Sequence, residues 1–287
     1  MKKEISSIIK SQQVMMGSIE IGQPLPSPGY EQVSPFILLH HGEPKNVAPG
    51  EGINVPPHPH RGFEPVSFVF SGELEHNDSL GNKSIIGAGG VQWTTAGSGI
   101  IHSEKASEKF NQQGGEFEMI QLWINLPKKL KMIAPSYQGY NRDDIPFYIE
   151  NNARVNVIAG ELNGKKGPFN SITNITALTI ETEAHAEVNL QFPEDKSVIV
   201  YHLHGNVSVN EQAIDEQELV AFEQHGTDIK INAKAKSLLL VLAGEPIDEP
   251  LATYGPFVMN TQEELSHALS DFRAGKMGEL FEEELTN

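Results

Sequence analysis

The sequence contains no cysteine, which excludes disulfide bonds and thiolate metal ligands. Basic residues are also scarce: 21 lysines and arginines stand against 38 aspartates and glutamates, giving a net charge of −17. Such a negative field repels phosphate backbones and acidic membrane surfaces, so direct binding to nucleic acid or to a membrane is not expected. Any metal site must use imidazole and oxygen donors.

Long hydrophobic runs are missing as well. No uninterrupted apolar segment approaches the roughly 18 residues of a membrane-spanning helix. Ahead of Lys10 the N-terminus offers only Ile5–Ile9, which is too short and too polar for the apolar part of a secretory signal. Together with the lack of cysteine, these absences predict a globular protein of the cytoplasm.

Short apolar or alternating segments recur at close intervals, for example at Val66–Phe70, Val91–Trp93 and Met119–Trp123. Turn-forming glycines and asparagines separate them, and no helical periodicity of convincing length occurs before residue 130. This pattern predicts an all-β protein built as a barrel or sandwich.

The chain length of 287 residues suggests two domains, since a domain has roughly 100 to 200 residues. A polar, proline-bearing stretch from Pro127 to Pro146 interrupts the strand pattern, which resumes at Val155. We therefore predict domains at residues 1–135 and 136–287. A strand that runs through glycine into a second strand is indicated in both halves, at 65–75 and 197–208, which favours an internal duplication.

The C-terminal part differs from the rest. Thr261 and Glu264 have the spacing of a capping box, and Gly275 stands where a helix would end. The apolar residues between them recur at helical spacing, so one helix of about three to four turns is predicted. The last residues, Glu279–Asn287, carry four glutamates and are expected to fray.

Two pairs of polar residues have the spacing of metal ligands. His58 and His60 in Pro57-His-Pro-His60 are two residues apart, so on a strand both imidazoles project to one side. His102 and Glu104 have the same spacing, and His102 follows His60 by 42 residues, which is enough for several strands that bring the pairs together. Because Pro59 cannot donate to a strand ladder, its strand should be irregular or at an edge. Three imidazoles and a carboxylate suit Fe(II), Mn(II), Ni(II), Cu(II) or Zn(II).

Other polar residues leave alternatives. Glu64 lies at even spacing from His58 and His60, so it rivals Glu104 as the ligand or could orient an imidazole from outside the ligand set. His202 and His204 repeat the spacing, but the internal alignment places them over Phe68 and Phe70, which favours a core role. His40 and His41 are adjacent, so an extended chain sends them to opposite faces. The other histidines lack a partner at useful spacing; they are His76, His185, His225 and His267. For all six a structural role is expected.

Longer motifs surround these residues. His58-Pro-His-Arg-Gly-Phe-Glu64, His76-Asn-Asp-Ser79 and Gln92-Trp-Thr-Thr-Ala-Gly-Ser-Gly-Ile-Ile-His-Ser-Glu104 closely resemble the pirin family of the cupin superfamily. Near the other end, Gly244-Glu-Pro-Ile-Asp-Glu-Pro250 and Gly255-Pro-Phe-Val-Met-Asn-Thr261 resemble the C-terminal segment of pirins.

The resemblance implies two tandem cupin barrels, with one metal in the N-terminal barrel, none in the second, and a short helix at the end. The family's ligands match His58, His60, His102 and Glu104, which favours Glu104 over Glu64. Where the family commonly has Trp-Met-Thr-Ala-Gly, this chain has Trp93-Thr-Thr-Ala-Gly97, a departure that bears on substrate preference.

Pirins are similar to quercetin 2,3-dioxygenases, so the resemblance implies cleavage of a flavonol by O2 at a mononuclear centre, with iron as the expected metal. Glu104 would act both as ligand and as acceptor of the substrate's hydroxyl proton. Two alternatives stay open. One is an iron- or redox-sensing protein that binds a protein partner, as animal pirins do, and the other is a dioxygenase for a different enol-bearing metabolite.

Overall fold

A computed structural model of the chain describes residues 1–17 and 19–280. Most of the expected fraying segment, from residue 281 on, lies outside the described residues. The earlier strands are β1 (Ile5–Lys10), β2 (Gln12–Met16), β3 (Ile19–Leu25), β4 (Phe36–Val47), β5 (Asn54–His60), β6 (Phe63–Ser71), β7 (Glu73–Asp78), β8 (Lys83–Gly87), β9 (Val91–Thr95) and β10 (Ile100–Ala106).

Helix α1 (Glu108–Gln113) follows, and two single 3-10 turns lie at Lys128–Leu130 and Arg142–Asp144. The next strands are β11 (Gly115–Asn125), β12 (Ser136–Tyr140), β13 (Phe147–Glu150), β14 (Ala153–Ala159), β15 (Glu161–Leu162), β16 (Lys165–Lys166), β17 (Ile175–Thr182) and β18 (Glu187–Gln191). The last elements are β19 (Ser197–His204), β20 (Val207–Val209), β21 (Gln212–Ile214), β22 (Glu218–Phe222), β23 (Asp228–Ala233), β24 (Ser237–Gly244), β25 (Ala252–Tyr254), β26 (Phe257–Met259) and helix α2 (Gln262–Arg273).

The chain groups into two compact units, each made of two stretches. Unit 1 comprises residues 1–41 and 143–246, and unit 2 comprises residues 42–142 and the stretch from Ile247 on. The sequence-based boundary between residues 135 and 136 gives each domain one continuous stretch and stays a prediction. The units instead group the first 41 residues with the later half of the chain, where β1 pairs with β22.

Unit 1 contains two antiparallel sheets with an apolar core. One has the order β1-β22-β19-β24-β17-β14-β13, and the other has the order β18-β23-β20-β21. Both sheets contribute buried side chains to one cluster, among them Val155, Leu178, Val188, Ile229 and Val241. The alternating pattern of these strands sends every second side chain inward, so the interior of unit 1 is filled by aliphatic groups.

Unit 2 is also built from antiparallel sheets. One has the order β5-β10-β7-β8, and β12, β9, β6 and β11 are neighbours in a second. The C-terminal stretch of this unit forms the β25–β26 hairpin and helix α2, which share an apolar cluster that includes Phe257, Leu265 and Met277. No helix in residues 1–17 and 19–280 is long and apolar enough to cross a bilayer.

The prediction of a C-terminal helix is confirmed. Thr261 caps α2 by accepting a hydrogen bond from the backbone of Glu264, and the Glu264 side chain accepts one from the backbone of Thr261. The helix ends at the cap residue Ala274, and Gly275 follows with φ of +72°. Helix α1 was not predicted, because six residues are too few to show a helical period.

Lys131 fixes the C-terminal hairpin inside unit 2. Its side chain is 1% exposed, and Nζ donates hydrogen bonds to Gly62 O at 2.8 Å, Val258 O at 3.1 Å and the Asn125 side chain. Three acceptors match the three N–H groups of an ammonium ion. Gly62 lies close to the same carbonyl, since a Cβ atom added there would be 2.0 Å from Val258 O.

A first prediction concerns this close approach. Gly62 and Gly81 have nearly the same backbone, with φ of +87° and +85°, but a Cβ at Gly81 would meet nothing within 4 Å. Gly81→Ala therefore measures only the cost of the left-handed backbone, about 1–2 kcal/mol. Gly62→Ala should lose roughly 1–3 kcal/mol more in chemical denaturation, because it also overpacks against Val258. Equal losses would show that the hairpin moves away freely.

A second prediction concerns pH. Burial lowers the pKa of Lys131 from 10.5 to about 7, against the attraction of Glu249 and Glu264. Between those two pH values the unfolded chain binds more protons than the folded one, so the free energy of unfolding should rise with pH. Denaturation of the wild type and of Lys131→Met at several pH values checks this. The stability difference in favour of the wild type should grow from pH 7 to pH 10, and a difference independent of pH would contradict it.

Candidate metal centre

Strands β5, β10 and β7 bring the predicted ligand residues to one face. His102 in β10 lies opposite His58 in β5, and directly paired residues in an antiparallel ladder share a face. His60 and Glu104, each two residues further along, lie on that same face. The prediction of an edge or irregular strand at Pro59 is confirmed, because β5 is the edge strand of its sheet and its register with β10 shifts between His102 and Glu104.

Three imidazoles converge on one point. One ring nitrogen from each of His58, His60 and His102 lies within 4.8 Å of the others. Nε2 of His58 is 3.1 Å from Nε2 of His60 and 2.9 Å from Nε2 of His102. Nitrogens bound to one metal ion at about 2.1 Å and at right angles to each other lie about 3 Å apart, so the observed spacing fits a shared ion.

In His58 and His60, the hydrogen bond at Nδ1 determines whether Nε2 carries a hydrogen. His58 Nδ1 is 2.9 Å from Pro56 O, and His60 Nδ1 is 3.4 Å from Pro256 O. A carbonyl oxygen only accepts, so both Nδ1 atoms carry the hydrogen. In the neutral rings, Nε2 of His58 and Nε2 of His60 therefore face each other with unshared electron pairs.

Two of the three rings resist protonation. Burial, together with the neighbouring His58, lowers the pKa of His60 to about 3, and burial and the adjacent histidines hold the pKa of His102 well below its usual value. Both of these rings are neutral at physiological pH. Neutral imidazole nitrogens with an unshared electron pair are metal ligands, so the donor set fits a divalent metal ion.

Glu104 is near the imidazoles but is not one of that group of atoms. It is 4% exposed, and its Oε1 accepts hydrogen bonds from Ser67 Oγ at 2.9 Å and from the side chain of Gln92. Both donors are buried and lie on strands β6 and β9. Thus the structure brings three of the four expected ligands together and holds the carboxylate on other partners.

Sequence reasoning missed a fourth histidine beside the site. His76 in β7 lies opposite Glu104, and its ring centre is 5.4 Å from that of His102. The expectation that His76 lacks a partner was wrong, because Nε2 lies 3.1 Å from Oδ2 of Asp78 and both side chains are fully buried. The spacing of two residues between them was the available signal. On the other side, His76 stacks on Tyr137 with ring centres 4.1 Å apart.

Glu64 and His202 have structural surroundings. Glu64 is fully buried and accepts a hydrogen bond from Thr95 Oγ1 at 2.7 Å. His202 is fully buried in unit 1, where its Nδ1 lies 3.0 Å from Asp215 O. This agrees with the core role expected for His202.

Aromatic rings border the imidazoles. The Trp123 ring is half-buried and lies 5.4 Å from the ring of His60 and 4.3 Å from the ring of Phe63, measured between centres. The rings of Trp123 and Phe63 therefore form a flat, apolar surface beside the cluster of imidazole nitrogens. Trp123 and Gln121 lie two residues apart on β11, so both project to the same side.

Comparisons with known proteins agree with this geometry. The family model described as pirin matches residues 18–124, and that of the pirin C-terminal cupin domain matches residues 177–278. A Pseudomonas aeruginosa protein provisionally named quercetin 2,3-dioxygenase is 38% identical over 249 residues, which cover 86% of this chain and 87% of the relative. Pirin-like protein 2 of Arabidopsis thaliana is 40% identical over 255 residues, which cover 86% of this chain and 76% of the relative.

A solved structure extends the similarity to nearly the whole chain. The crystal structure of quercetin 2,3-dioxygenase from Acinetobacter baumannii superimposes with a TM-score of 0.91 at 35% identity, and covers 97% of this chain and 99% of that one. The expected fold is confirmed as all-β, with two tandem cupin domains and a short C-terminal helix. The chain belongs to the pirin family.

Proposed function

We propose that this protein is a metal-dependent oxidoreductase that cleaves flavonols such as quercetin with O2, at a mononuclear site formed by His58, His60, His102 and Glu104. The observation that carries the proposal is the convergence of three imidazoles, two of which direct Nδ1 to a backbone carbonyl and Nε2 toward each other. The similarity to proteins named quercetin 2,3-dioxygenase supports the choice of substrate.

The donor set determines which metals suit the site. Imidazole nitrogen and carboxylate oxygen bind Fe(II), Mn(II), Ni(II), Cu(II) and Zn(II), and Fe(II) is proposed from the resemblance to pirins. A bound Fe(II) ion would supply positive charge for a deprotonated substrate oxygen and an electron route to O2.

The protein's own residues have separate tasks in this proposal. Glu104 accepts the proton of the flavonol 3-hydroxyl, for which a buried carboxylate beside the ligand set is suitably placed. The ring of Trp123 next to His60 offers a planar surface to the flavonol rings. The buried His60 and His102 keep water away from the reacting atoms. The flavonol ring then opens with incorporation of both oxygen atoms of O2 and release of carbon monoxide.

A third prediction tests metal binding. Loss of a group that only supports a ligand costs roughly 10- to 100-fold in metal affinity, so His60→Ala should lose more than that range. The measurement is metal affinity by titration of metal-free protein with Fe(II) without air, together with elemental analysis. His40→Ala is the control, since His40 is a half-buried histidine that hydrogen-bonds Gln23. Equal affinity of His60→Ala and wild type would remove His60 from the site.

A fourth prediction tests catalysis. Iron-loaded protein should consume quercetin, followed by its visible absorbance, at about 1 per second or faster, and only when O2 is present. His58→Ala, which loses one donor nitrogen, should be inactive, and His40→Ala should retain activity. Retained activity in His58→Ala would separate the metal from the reaction. Absence of turnover in protein with a full complement of iron would refute the proposed substrate.

A further inference from the structure

A continuous chain of hydrogen bonds converges on one oxygen of Glu104. Ser67 Oγ lies 2.9 Å from Glu104 Oε1, and Gln92 Nε2 also contacts that oxygen. Gln92 Nε2 is 3.2 Å from Ser67 Oγ, and Gln121 Nε2 is 3.1 Å from Ser67 Oγ. Ser67 and Gln92 are 1% and 2% exposed, so water cannot readily replace either partner.

The direction of each hydrogen bond follows from chemistry. A carboxylate only accepts, so the Ser67 hydroxyl and the amide nitrogen of Gln92 must both donate to Glu104. The Ser67 oxygen then accepts from the second N–H of Gln92 and from Gln121. The carbonyl end of the Gln92 amide consequently points away from Glu104 and needs a donor of its own.

Tyr137 supplies that donor. Its hydroxyl is 3.3 Å from Gln92 Oε1, and Ser84 Oγ contacts the same hydroxyl. Burial raises the pKa of Tyr137 to about 12, so the phenol keeps its proton at every physiological pH. The ring is held in place by stacking on His76. Donors therefore run in one sense from Ser84 through Tyr137 and Gln92 to Glu104.

We propose that Gln92 is a positioning residue: together with Ser67 it holds Glu104 by Oε1, apart from the three imidazoles, and so makes this carboxylate an exchangeable metal ligand. The proposal rests on the proposed function, because it assumes that a metal ion binds His58, His60 and His102. Hydrogen bonds to a charged group contribute roughly 10- to 100-fold each to an equilibrium constant. Two such bonds compete with a metal ion for the same carboxylate.

This competition has a use in the proposed reaction. When Glu104 leaves the metal for its hydrogen bonds to Ser67 and Gln92, a coordination position becomes free for a substrate oxygen. A carboxylate without other partners would stay on the ion. Gln92 therefore lowers metal affinity and increases access of the substrate to the metal. If Gln92 merely supported the fold, or oriented Glu104 toward the metal, its removal would lower metal affinity instead.

The sign of the change in metal affinity therefore tests the proposal. Gln92→Met roughly keeps the volume of the side chain and removes its hydrogen bonds to Glu104, Ser67 and Tyr137. In a titration of metal-free protein with Co(II), whose visible absorption reports its ligands, this variant should bind about tenfold more tightly than the wild type. Gln112→Met is the matched control, because Gln112 is exposed on α1 and bonds Glu108; it should leave Co(II) affinity unchanged.

Two further variants show whether the effect passes through the proposed residues. In a Glu104→Ala background, Gln92→Met should no longer change Co(II) affinity. Tyr137→Phe should tighten binding by less than Gln92→Met and should add nothing in the double variant, since its influence runs through Gln92. Ser67→Ala removes the other donor to Glu104 and should also tighten Co(II) binding. It provides the same test if Gln92→Met does not fold.

Weaker or unchanged Co(II) affinity in Gln92→Met, or an effect that persists in the Glu104→Ala background, overturns the proposal. These titrations contain no flavonol, so they succeed or fail independently of the activity assay. If the variants behave as expected while the iron-loaded protein does not turn over quercetin, the proposed substrate is refuted and the proposed role of Gln92 stands. In flavonol assays, Gln92→Met should raise KM more than it lowers kcat, because Glu104 then competes with the substrate oxygen for its position at the metal.

Discussion

Two facing electron pairs, on Nε2 of His58 and of His60, are the constraint around which unit 2 is arranged. They lie 3.1 Å apart because each ring gives its Nδ1 hydrogen to a backbone carbonyl, Pro56 O in one case and Pro256 O in the other. Between two neutral rings this contact is repulsive, and burial lowers the pKa of His60, so that ring does not readily take up a proton. A folded protein tolerates such an arrangement where a cation is to be bound, as strain at a functional site is compensated by the surrounding structure.

That compensation comes from parts of the sequence far from the ligands. Pro256 lies in the C-terminal stretch, which Lys131 ties to Gly62 through the carbonyl of Val258. Arg61, next to His60, donates to Ser98 O at 2.7 Å and to Asp271 at 2.9 Å. Both side chains are at most 4% exposed, so these contacts are made without competition from water. The C-terminal hairpin and helix thus support the candidate metal site, although they follow it by some 150 residues.

Much of this could be predicted from the sequence, and the omissions have a common cause. The spacing of two residues in His58-x-His60 and His102-x-Glu104 correctly predicted that four side chains lie on one face. The capping-box spacing of Thr261 and Glu264 correctly predicted where α2 begins. The position of the Glu104 carboxylate was not predictable, because its partners Ser67 and Gln92 come from strands with no local sequence signal for that contact. Long-range side-chain pairing depends on sheet order, whereas spacing reports only on neighbours within one element. Asp78 beside His76 is the exception, since its spacing did contain the information.

The two units show how little of the chemistry depends on the fold itself. Each contains a strand that passes through a glycine with positive φ into the next strand, at Gly72 in β6–β7 and at Gly205 in β19–β20. In unit 1 the side chains that point inward are aliphatic, and they form a continuous core. In unit 2 several inward positions carry imidazole, carboxylate and amide groups, whose burial is costly unless each finds a partner. Hydrogen bonds from Ser67 and Gln92 meet that cost for Glu104, and Asp78 partners Nε2 of His76. In the proposed function, a metal ion would do the same for the converging nitrogens of His58, His60 and His102.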